Sequence, residues 1–173
     1  MPITPDTKNW TWVLEEPCPQ CGFDASAFAA SDVAHMIRAN ASAWPAVLER
    51  TDVRLRPDDS TWSPLEYAAH VRDVFSLYLY RLGLMMAEHD PVYPNWDQDA
   101  TAVAERYNEQ SPEVVCAQLV ADARDLADAL DTVADWTRPG RRSDGASFTI
   151  ETFAKYLIHD PVHHLWDVRT LVE

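Results

Sequence analysis

Residues 61–74 read TWSPLEYAAHVRDV, and this stretch contains the clearest helix start in the sequence. Ser63 is a good N-cap, Pro64 suits the first helical position, and Glu66 can accept a hydrogen bond from the backbone N–H of the cap. This arrangement is a capping box, in which the side chain of each of the two residues, Ser63 and Glu66, accepts a hydrogen bond from the backbone N–H of the other. These N–H groups have no hydrogen-bond partner within the helix. The stretch therefore predicts a helix that begins at Pro64.

After this start, apolar residues recur every three to four positions, which gives the helix one buried face. This stripe consists of Tyr67, Val71, Val74, Tyr78, Leu82 and Met85. The same kinds of signal predict three further principal helices along the chain. One starts at Ser31, one is opened by Ser111 and Pro112 and stops near Trp136, and the last is capped by Thr149 and runs from Ile150 to about Leu171.

Glycine is rare, with four in the 173 residues, while runs rich in Ala, Leu, Glu and Arg are long. This composition favours helices joined by proline-marked turns rather than a sheet. The segments 89–99 and 137–147 contain prolines or glycines typical of connections, so we expect both to be loops. We therefore predict an all-α fold. It is a four-helix bundle over residues 31–173 with a long crossover connection, and an N-terminal segment, residues 1–30, packs on it.

The chain is strongly acidic, with a formal net charge of −14. Such a charge repels phosphate backbones and anionic lipid headgroups, because clustered Lys and Arg recruit both kinds of partner. We therefore expect a small-molecule substrate, and neither nucleic acid nor a membrane as a partner.

The start of the sequence lacks the basic segment and apolar run of a secretory signal. No apolar stretch approaches the roughly 20 residues that cross a bilayer. An odd number of cysteines, three, fits a reducing compartment better than a disulfide framework. The sequence therefore predicts a cytoplasmic protein.

Three of the six histidines lie within residues 156–168, YLIHDPVHHLWDV. His159 and His163 are four residues apart, so at about 100° per residue their side chains differ by about 40° and share one face of a helix. Such a pair can bind one divalent metal ion, and His70, about two turns into the second helix, is the best candidate for a third ligand. The alternative is that two histidines at this spacing only pack against their neighbours.

The other polar residues of this stretch have less specific patterns. We interpret His164 as a packing or supporting residue, and Asp160 and Asp167 as surface carboxylates or as acceptors for an imidazole N–H. Pro161 lies between the two paired histidines and can force a kink or bulge that changes the phase of the helix. On a straight helix the pair would line a polar and aromatic cleft, opposite the aliphatic stripe.

Residues 17–23, PCPQCGF, place Cys18 and Cys21 in a knuckle that either binds zinc or forms a redox dithiol. A complete zinc site needs two further ligands, which would have to include a donor such as His35 or one from a partner chain. Two free thiols in an N-terminal turn are the alternative.

One basic cluster stands out in this acidic chain, directly before the last helix. Most clusters of this kind are solvated loops, and a minority bind an anionic group of a substrate through bidentate contacts. The cluster consists of Arg138, Arg141 and Arg142.

Residues 61–74 and residues 157–168, LIHDPVHHLWDV, together resemble the DinB-like superfamily. This superfamily includes YfiT-like proteins and the metal-binding domain of mycothiol-dependent maleylpyruvate isomerase, and the resemblance covers most of the chain after residue 30. It implies a four-helix bundle, often a homodimer, with a divalent metal held by three histidines. Carried over to this sequence, the metal ligands are His70, His159 and His163.

The resemblance also implies a chemistry, since characterised relatives are thiol-dependent transferases or isomerases that use bacillithiol or mycothiol. Three neutral nitrogen ligands leave the ion with its full charge and with open positions, so it can lower the pKa of a bound thiol. We therefore expect a divalent-metal-dependent enzyme, a thiol-dependent S-transferase or isomerase. The ion would be Zn or Ni, with Fe also suitable, and a low-molecular-weight thiol such as mycothiol would be the co-substrate. The alternatives are a metal-dependent hydrolase and a non-catalytic metal- or ligand-binding module.

Overall fold

Six α-helices and a small sheet make up the part of the chain that the computed structural model describes, which is residue 3 and residues 9–170. The helices are α1 (Val33–Ala41), α2 (Trp44–Leu48), α3 (Pro64–Ala87), α4 (Gln98–Ala104), α5 (Pro112–Asp131) and α6 (Ile150–Thr170). The strands are β1 (Val92–Tyr93), β2 (Pro139–Arg142) and β3 (Ser147–Thr149), and short 3₁₀ turns lie at Trp10–Leu14, Ala30–Asp32 and Tyr107–Glu109.

Four of the helices, α1, α3, α5 and α6, form the predicted four-helix bundle, so the predicted fold class is confirmed. Helix α3 packs against α5 and α6, and α1 packs against the same two helices. The bundle interior is apolar and excludes water, which is the main source of its stability. Its fully buried side chains include Leu65, Phe75, Leu119, Leu126, Phe153 and Leu157. Among the described residues, no helix combines the length and apolarity that crossing a membrane requires.

The capping box predicted at the start of α3 is present. The Ser63 hydroxyl accepts a hydrogen bond from the Glu66 backbone N–H at 3.2 Å, and the Glu66 carboxylate accepts one from the Ser63 N–H at 2.9 Å. Helix α1, in contrast, begins at Val33 instead of directly after Ser31, because Ser31 lies inside the preceding 3₁₀ turn. The Asp32 carboxylate accepts a hydrogen bond from the Ala29 N–H in that turn.

We expect Ser63→Ala to lower the free energy of unfolding by about 1 kcal/mol, because it leaves a backbone donor at the start of α3 without its acceptor. The matched control is Ser76→Ala, at an exposed position within the same helix, which should change stability by less than about 0.5 kcal/mol. Urea denaturation of both variants measures the difference. Equal midpoints for the two variants would show that the capping box adds no stability.

The two long connections of the bundle meet in a three-stranded sheet, which the sequence analysis did not predict. Strand β1, between α3 and α4, pairs in parallel with β2, and β2 pairs antiparallel with β3 in the connection before α6. The expectation of loops over residues 89–99 and 137–147 was therefore wrong where these strands lie. At Gly140 a Cβ atom would lie 2.7 Å from Cγ of Met85, so the backbone of β2 approaches α3 where a side chain would not fit.

Two candidate metal centres on helix α6

Helix α6 carries two pairs of ligand-type side chains with i, i+4 spacing, and the pairs are offset by one residue. His159 and His163 form the first pair, and Asp160 and His164 form the second. Because a one-residue step turns a helix by about 100°, the two pairs point to different neighbours. Each pair joins a separate group of metal-ligating side chains.

The first group, which we call the His–Asp cluster, consists of His70, Asp160 and His164, with candidate ligand atoms all within 4.8 Å of one another. Nε2 of His70 lies 3.0 Å from Oδ1 of Asp160, and Nε2 of His164 lies 3.7 Å from the same oxygen. A tetrahedral ion with ligands at 2.0 to 2.1 Å separates its ligand atoms by about 3.3 Å. The three side chains therefore fit one divalent ion.

Contacts around the His–Asp cluster fix the orientation of its rings. Nδ1 of His164 lies 2.9 Å from Oδ2 of Asp167, so an N–H at this position donates to the carboxylate, and Nε2 faces Asp160. The ring of His70 is fully buried and lies parallel to Trp96, with centroids 5.3 Å apart, and it also contacts Trp62. A ring held in this way needs little further ordering when it binds an ion.

Asp160 is the anionic member of this cluster. Burial alone would raise the pKa of its carboxyl, but the nearby imidazoles of His70 and His164 outweigh that effect and hold the pKa below its usual range. The side chain keeps 32% of its surface exposed. The cluster thus offers a divalent ion two imidazoles and one ionised carboxylate, with one side that solvent can reach.

A cleft of about 890 Å³ borders the His–Asp cluster, and Asp160 and His164 form part of its wall. The wall is rich in aromatic side chains, namely Trp10, Trp62, Tyr67, Trp96 and Tyr156. This volume is within the range of small-molecule sites. An ion bound by the cluster would therefore be open to a molecule in the cleft.

Arg81 supplies a positive charge on the wall of this cleft. Its side chain is 3% exposed, and one terminal N–H donates to the carbonyl of Pro94 at 2.8 Å. Within the described ranges it forms no ion pair with a carboxylate, and its Nε atom has no hydrogen-bond partner. A buried guanidinium without a counterion favours an anionic group in the space beside it.

The predicted basic cluster is divided by the fold. Arg138 donates to the carbonyls of Met85 and Glu88 at the end of α3, at 2.8 and 2.7 Å, which is a structural role. Arg141 pairs with Asp90. Arg142 lines the cleft, where it pairs with Asp144 at 2.9 Å and donates to the Tyr156 hydroxyl at 3.2 Å.

The second group, which we call the Cys–His cluster, consists of Cys18, Cys21, His159 and His163. Its four candidate ligand atoms also lie within 4.8 Å of one another, and Sγ of Cys18 is 3.7 Å from Nδ1 of His163. Burial lowers the pKa of His159 to about 4, with a further contribution from the neighbouring His163. Burial likewise raises the pKa of the Cys21 thiol to about 11.

The structure thus places the three predicted ligands in different groups: His159 and His163 lie with the two cysteines, and His70 lies with Asp160 and His164. The three-histidine site stays a prediction, and the ligand distances favour the two groups instead. Asp160 and His164 were not predicted as ligands. Their signal was present in the sequence, because they share the i, i+4 spacing of the first pair, shifted by one residue.

Comparisons with known proteins agree with this architecture. The sequence model of the DinB superfamily matches residues 33–168. Among solved structures, the chain is similar in fold to YfiT from Bacillus subtilis, described as a probable metal-dependent hydrolase with an unusual four-helix bundle topology. The two chains are 18% identical with a TM-score of 0.68, and the match covers 82% of this chain and 84% of YfiT. None of the curated proteins matches this chain in sequence.

Proposed function

Because this chain belongs to the DinB superfamily, we propose that it is a metal-dependent enzyme whose ion is bound by His70, Asp160 and His164. The observation that carries the proposal is that these three side chains converge at the spacing of metal ligands, and that two of them, Asp160 and His164, line an 890 Å³ cleft. A catalytic site needs both an open coordination position and room for a substrate. Three protein donors leave such a position.

The donor set is suited to catalysis. Two histidines and one carboxylate hold zinc in several hydrolytic enzymes, with the remaining position left for a reacting molecule. When bound, a divalent ion supplies positive charge that lowers the pKa of a thiol or a water molecule beside it. Asp167 orients His164, while Trp62 and Trp96 hold His70 in place and keep water from its ring.

The reaction that we propose first is transfer of a low-molecular-weight thiol, such as mycothiol, to an electrophilic small molecule. A thiol has a pKa of about 8.5, so a shift of about two pH units makes it a thiolate at neutral pH, whereas water starts from about 15.7. Because a thiol needs the smaller pKa shift, a bound dication activates it more readily than water. The thiolate sulfur forms a bond to the electrophilic carbon, the leaving group departs with its electron pair, and the thiol proton passes to solvent.

A metal-dependent hydrolase is the second candidate, and one specific observation favours it. The pair of histidines with a carboxylate is the ligand set of metal-dependent peptidases. YfiT, which shares the fold, is described as a probable metal-dependent hydrolase. The two candidates use the same ion and cleft, and they differ only in whether a thiol or a water molecule attacks.

The substrate class follows from Arg81. Its buried guanidinium contacts the rings of Tyr78 and Tyr93 and the carbonyl of Pro94, but it has no carboxylate partner among the described residues, so a carboxylate or phosphate group in the cleft would supply the ion pair. We therefore include an anionic small molecule in the proposal. A reducing cytoplasm, where such thiols occur, remains the expected location, and a homodimer remains the expected assembly.

The first experiment is elemental analysis of protein purified without a polyhistidine tag, comparing wild type, His70→Ala and the exposed control His35→Ala. His70→Ala should lose one metal equivalent per chain, while His35→Ala should keep the wild-type content. All three proteins are then assayed with thiols plus carboxylate-bearing electrophiles, and separately with esters and amides without a thiol.

Activity that requires a thiol would support the transferase, and activity without one would support the hydrolase. In either case, activity should be lost in His70→Ala and kept in His35→Ala. Unchanged metal content in His70→Ala would contradict the proposed site, and metal-loaded protein inactive in both assays would contradict the enzyme.

A further inference from the structure

We propose that Cys18, Cys21, His159 and His163 form a second metal site, which binds a structural zinc ion and holds the N-terminal segment against α6. This site is separate from the His–Asp cluster, and the inference does not depend on the proposed function. Two thiolates and two imidazoles are a ligand set typical of structural zinc.

The separation of one sulfur and one nitrogen in the Cys–His cluster is that expected at a tetrahedral zinc ion, and all four ligand atoms lie within 4.8 Å of one another. With Zn–S at about 2.3 Å and Zn–N at about 2.0 to 2.1 Å, sulfur and nitrogen ligands lie about 3.6 Å apart. In the structure, Sγ of Cys18 and Nδ1 of His163 lie 3.7 Å apart. The i, i+4 spacing of the histidines on α6 supplies one pair of ligands, and the knuckle supplies the other.

The backbone of the knuckle is shaped to present both sulfurs on the same side. The Cys18 N–H donates to the carbonyl of Phe23 at 2.8 Å, and the Gly22 N–H donates to the carbonyl of Cys18 at 2.9 Å. Gly22 has a φ of +73°, which a side chain would disfavour. This tight turn lies directly against the helix that carries the two histidines.

The cluster contains polar groups whose burial needs a compensating partner. Cys18, His159 and His163 are buried, and Nε2 of His159 has no hydrogen-bond partner among the described residues. Burying a ring nitrogen without a partner costs about 1 to 3 kcal/mol. A zinc ion in the cluster would supply the ligand bond that Nε2 of His159 otherwise lacks.

The number of donors in the Cys–His cluster indicates a structural ion rather than a catalytic one. Four protein donors complete a tetrahedron and leave no position for a substrate, in contrast to the three donors of the His–Asp cluster. Trp10 packs on both histidines and Phe23 packs on His159, with ring centroids 5.1 to 5.5 Å apart. The N-terminal segment therefore covers the cluster on one side, while His159 and His163 also line the cleft.

This site would also stabilise the cleft. Trp10 and Gln20 from the N-terminal segment line the cleft together with Asp160 and His164. Besides ring contacts, the described contacts between this segment and α6 include a hydrogen bond from Nζ of Lys155 to the carbonyl of Ala25, at 2.9 Å. A zinc ion would thus fix part of the cleft wall and the rotation of α6, on which the His–Asp cluster depends.

The test uses cobalt substitution of the full-length protein, because cobalt bound to thiolates gives a sulfur-to-metal charge-transfer band and intense visible bands when tetrahedral. Wild type and His70→Ala should both show these bands. The double variant Cys18→Ser, Cys21→Ser should lose the sulfur-to-metal charge-transfer band together with one zinc equivalent per chain, while Cys116→Ser, the matched control, should keep both. The His70→Ala comparison separates this site from the proposed catalytic one.

A second measurement needs no variant in the site. With zinc bound, Cys18 and Cys21 should resist a thiol reagent under native conditions, and a chelator should make two further thiols reactive. Wild-type protein that shows no thiolate-to-cobalt band, or a double variant that keeps its full zinc content, would overturn the proposal.

Discussion

Replacing Asp160 with alanine is expected to lower kcat/KM by about 1,000-fold in whichever reaction the thiol and ester assays identify. The variant removes the only carboxylate of the His–Asp cluster and leaves two imidazoles to hold the ion. A bound ion contributes several kcal/mol to stabilising charge in a transition state, and about 4 kcal/mol corresponds to about 1,000-fold in rate. Competition with a chromophoric chelator should show a parallel loss of metal affinity.

The graded comparison for this prediction is Asp167→Asn. Asp167 contacts His164 without belonging to the cluster, so its variant should lose about 10- to 100-fold in metal affinity or activity. The exposed Glu151→Gln in the first turn of α6 serves as the neutral control. Retention of the cobalt–thiolate bands in Asp160→Ala would show that the helix is intact. Wild-type affinity and turnover in that variant would rule out Asp160 as a ligand.

Replacing Trp44 with alanine is expected to lower the free energy of unfolding by about 3 to 5 kcal/mol. Trp44 is fully buried in α2, and its indole N–H donates to Oδ1 of Asn40 at 3.0 Å. Nδ2 of Asn40 in turn donates to the carbonyl of Pro161 at 2.8 Å. The substitution therefore opens a cavity and also removes a partner from a buried amide that joins α1 to α6.

Trp44→Phe separates the two contributions, because it keeps a large ring and removes the N–H. It should lower the free energy of unfolding by about 1 to 3 kcal/mol, because the Asn40 oxygen loses its hydrogen-bond donor. This loss is smaller than the one expected for Trp44→Ala. Leu55→Ala, at an exposed position, should change stability by less than about 0.5 kcal/mol. Urea denaturation measures all three variants. A cost below about 1 kcal/mol for Trp44→Ala would contradict the packing described for this residue.

The parts of the fold that were predictable are those set by short-range interactions. The capping box at Ser63 and Glu66 spans four residues, and the apolar stripes of α3, α5 and α6 repeat within single helices. The start of α6 at Ile150 also followed from local residues. Such features depend on hydrogen bonds and burial patterns that each helix carries by itself.

The sheet was not predictable in the same way. Strands β1 and β2 have two and four residues, and β2 begins with Pro139 and Gly140, which have low strand propensity. Their pairing joins connections that lie almost fifty residues apart in sequence. Only the packing of the bundle brings these segments together, so no local signal marks them as strands.

By itself the sequence determined the helices, the bundle, and the presence of ligand-type residues on α3, on α6 and in the cysteine knuckle. Only the tertiary structure decided which of them meet. The pairs 159/163 and 160/164 have the same spacing, so the sequence does not distinguish their environments. The rotation of α6, set by burial of its aliphatic face, turns Asp160 and His164 toward His70 and turns the other pair toward Cys18 and Cys21. A metal site needs donors within a few ångströms of one another, and that distance is a property of packing.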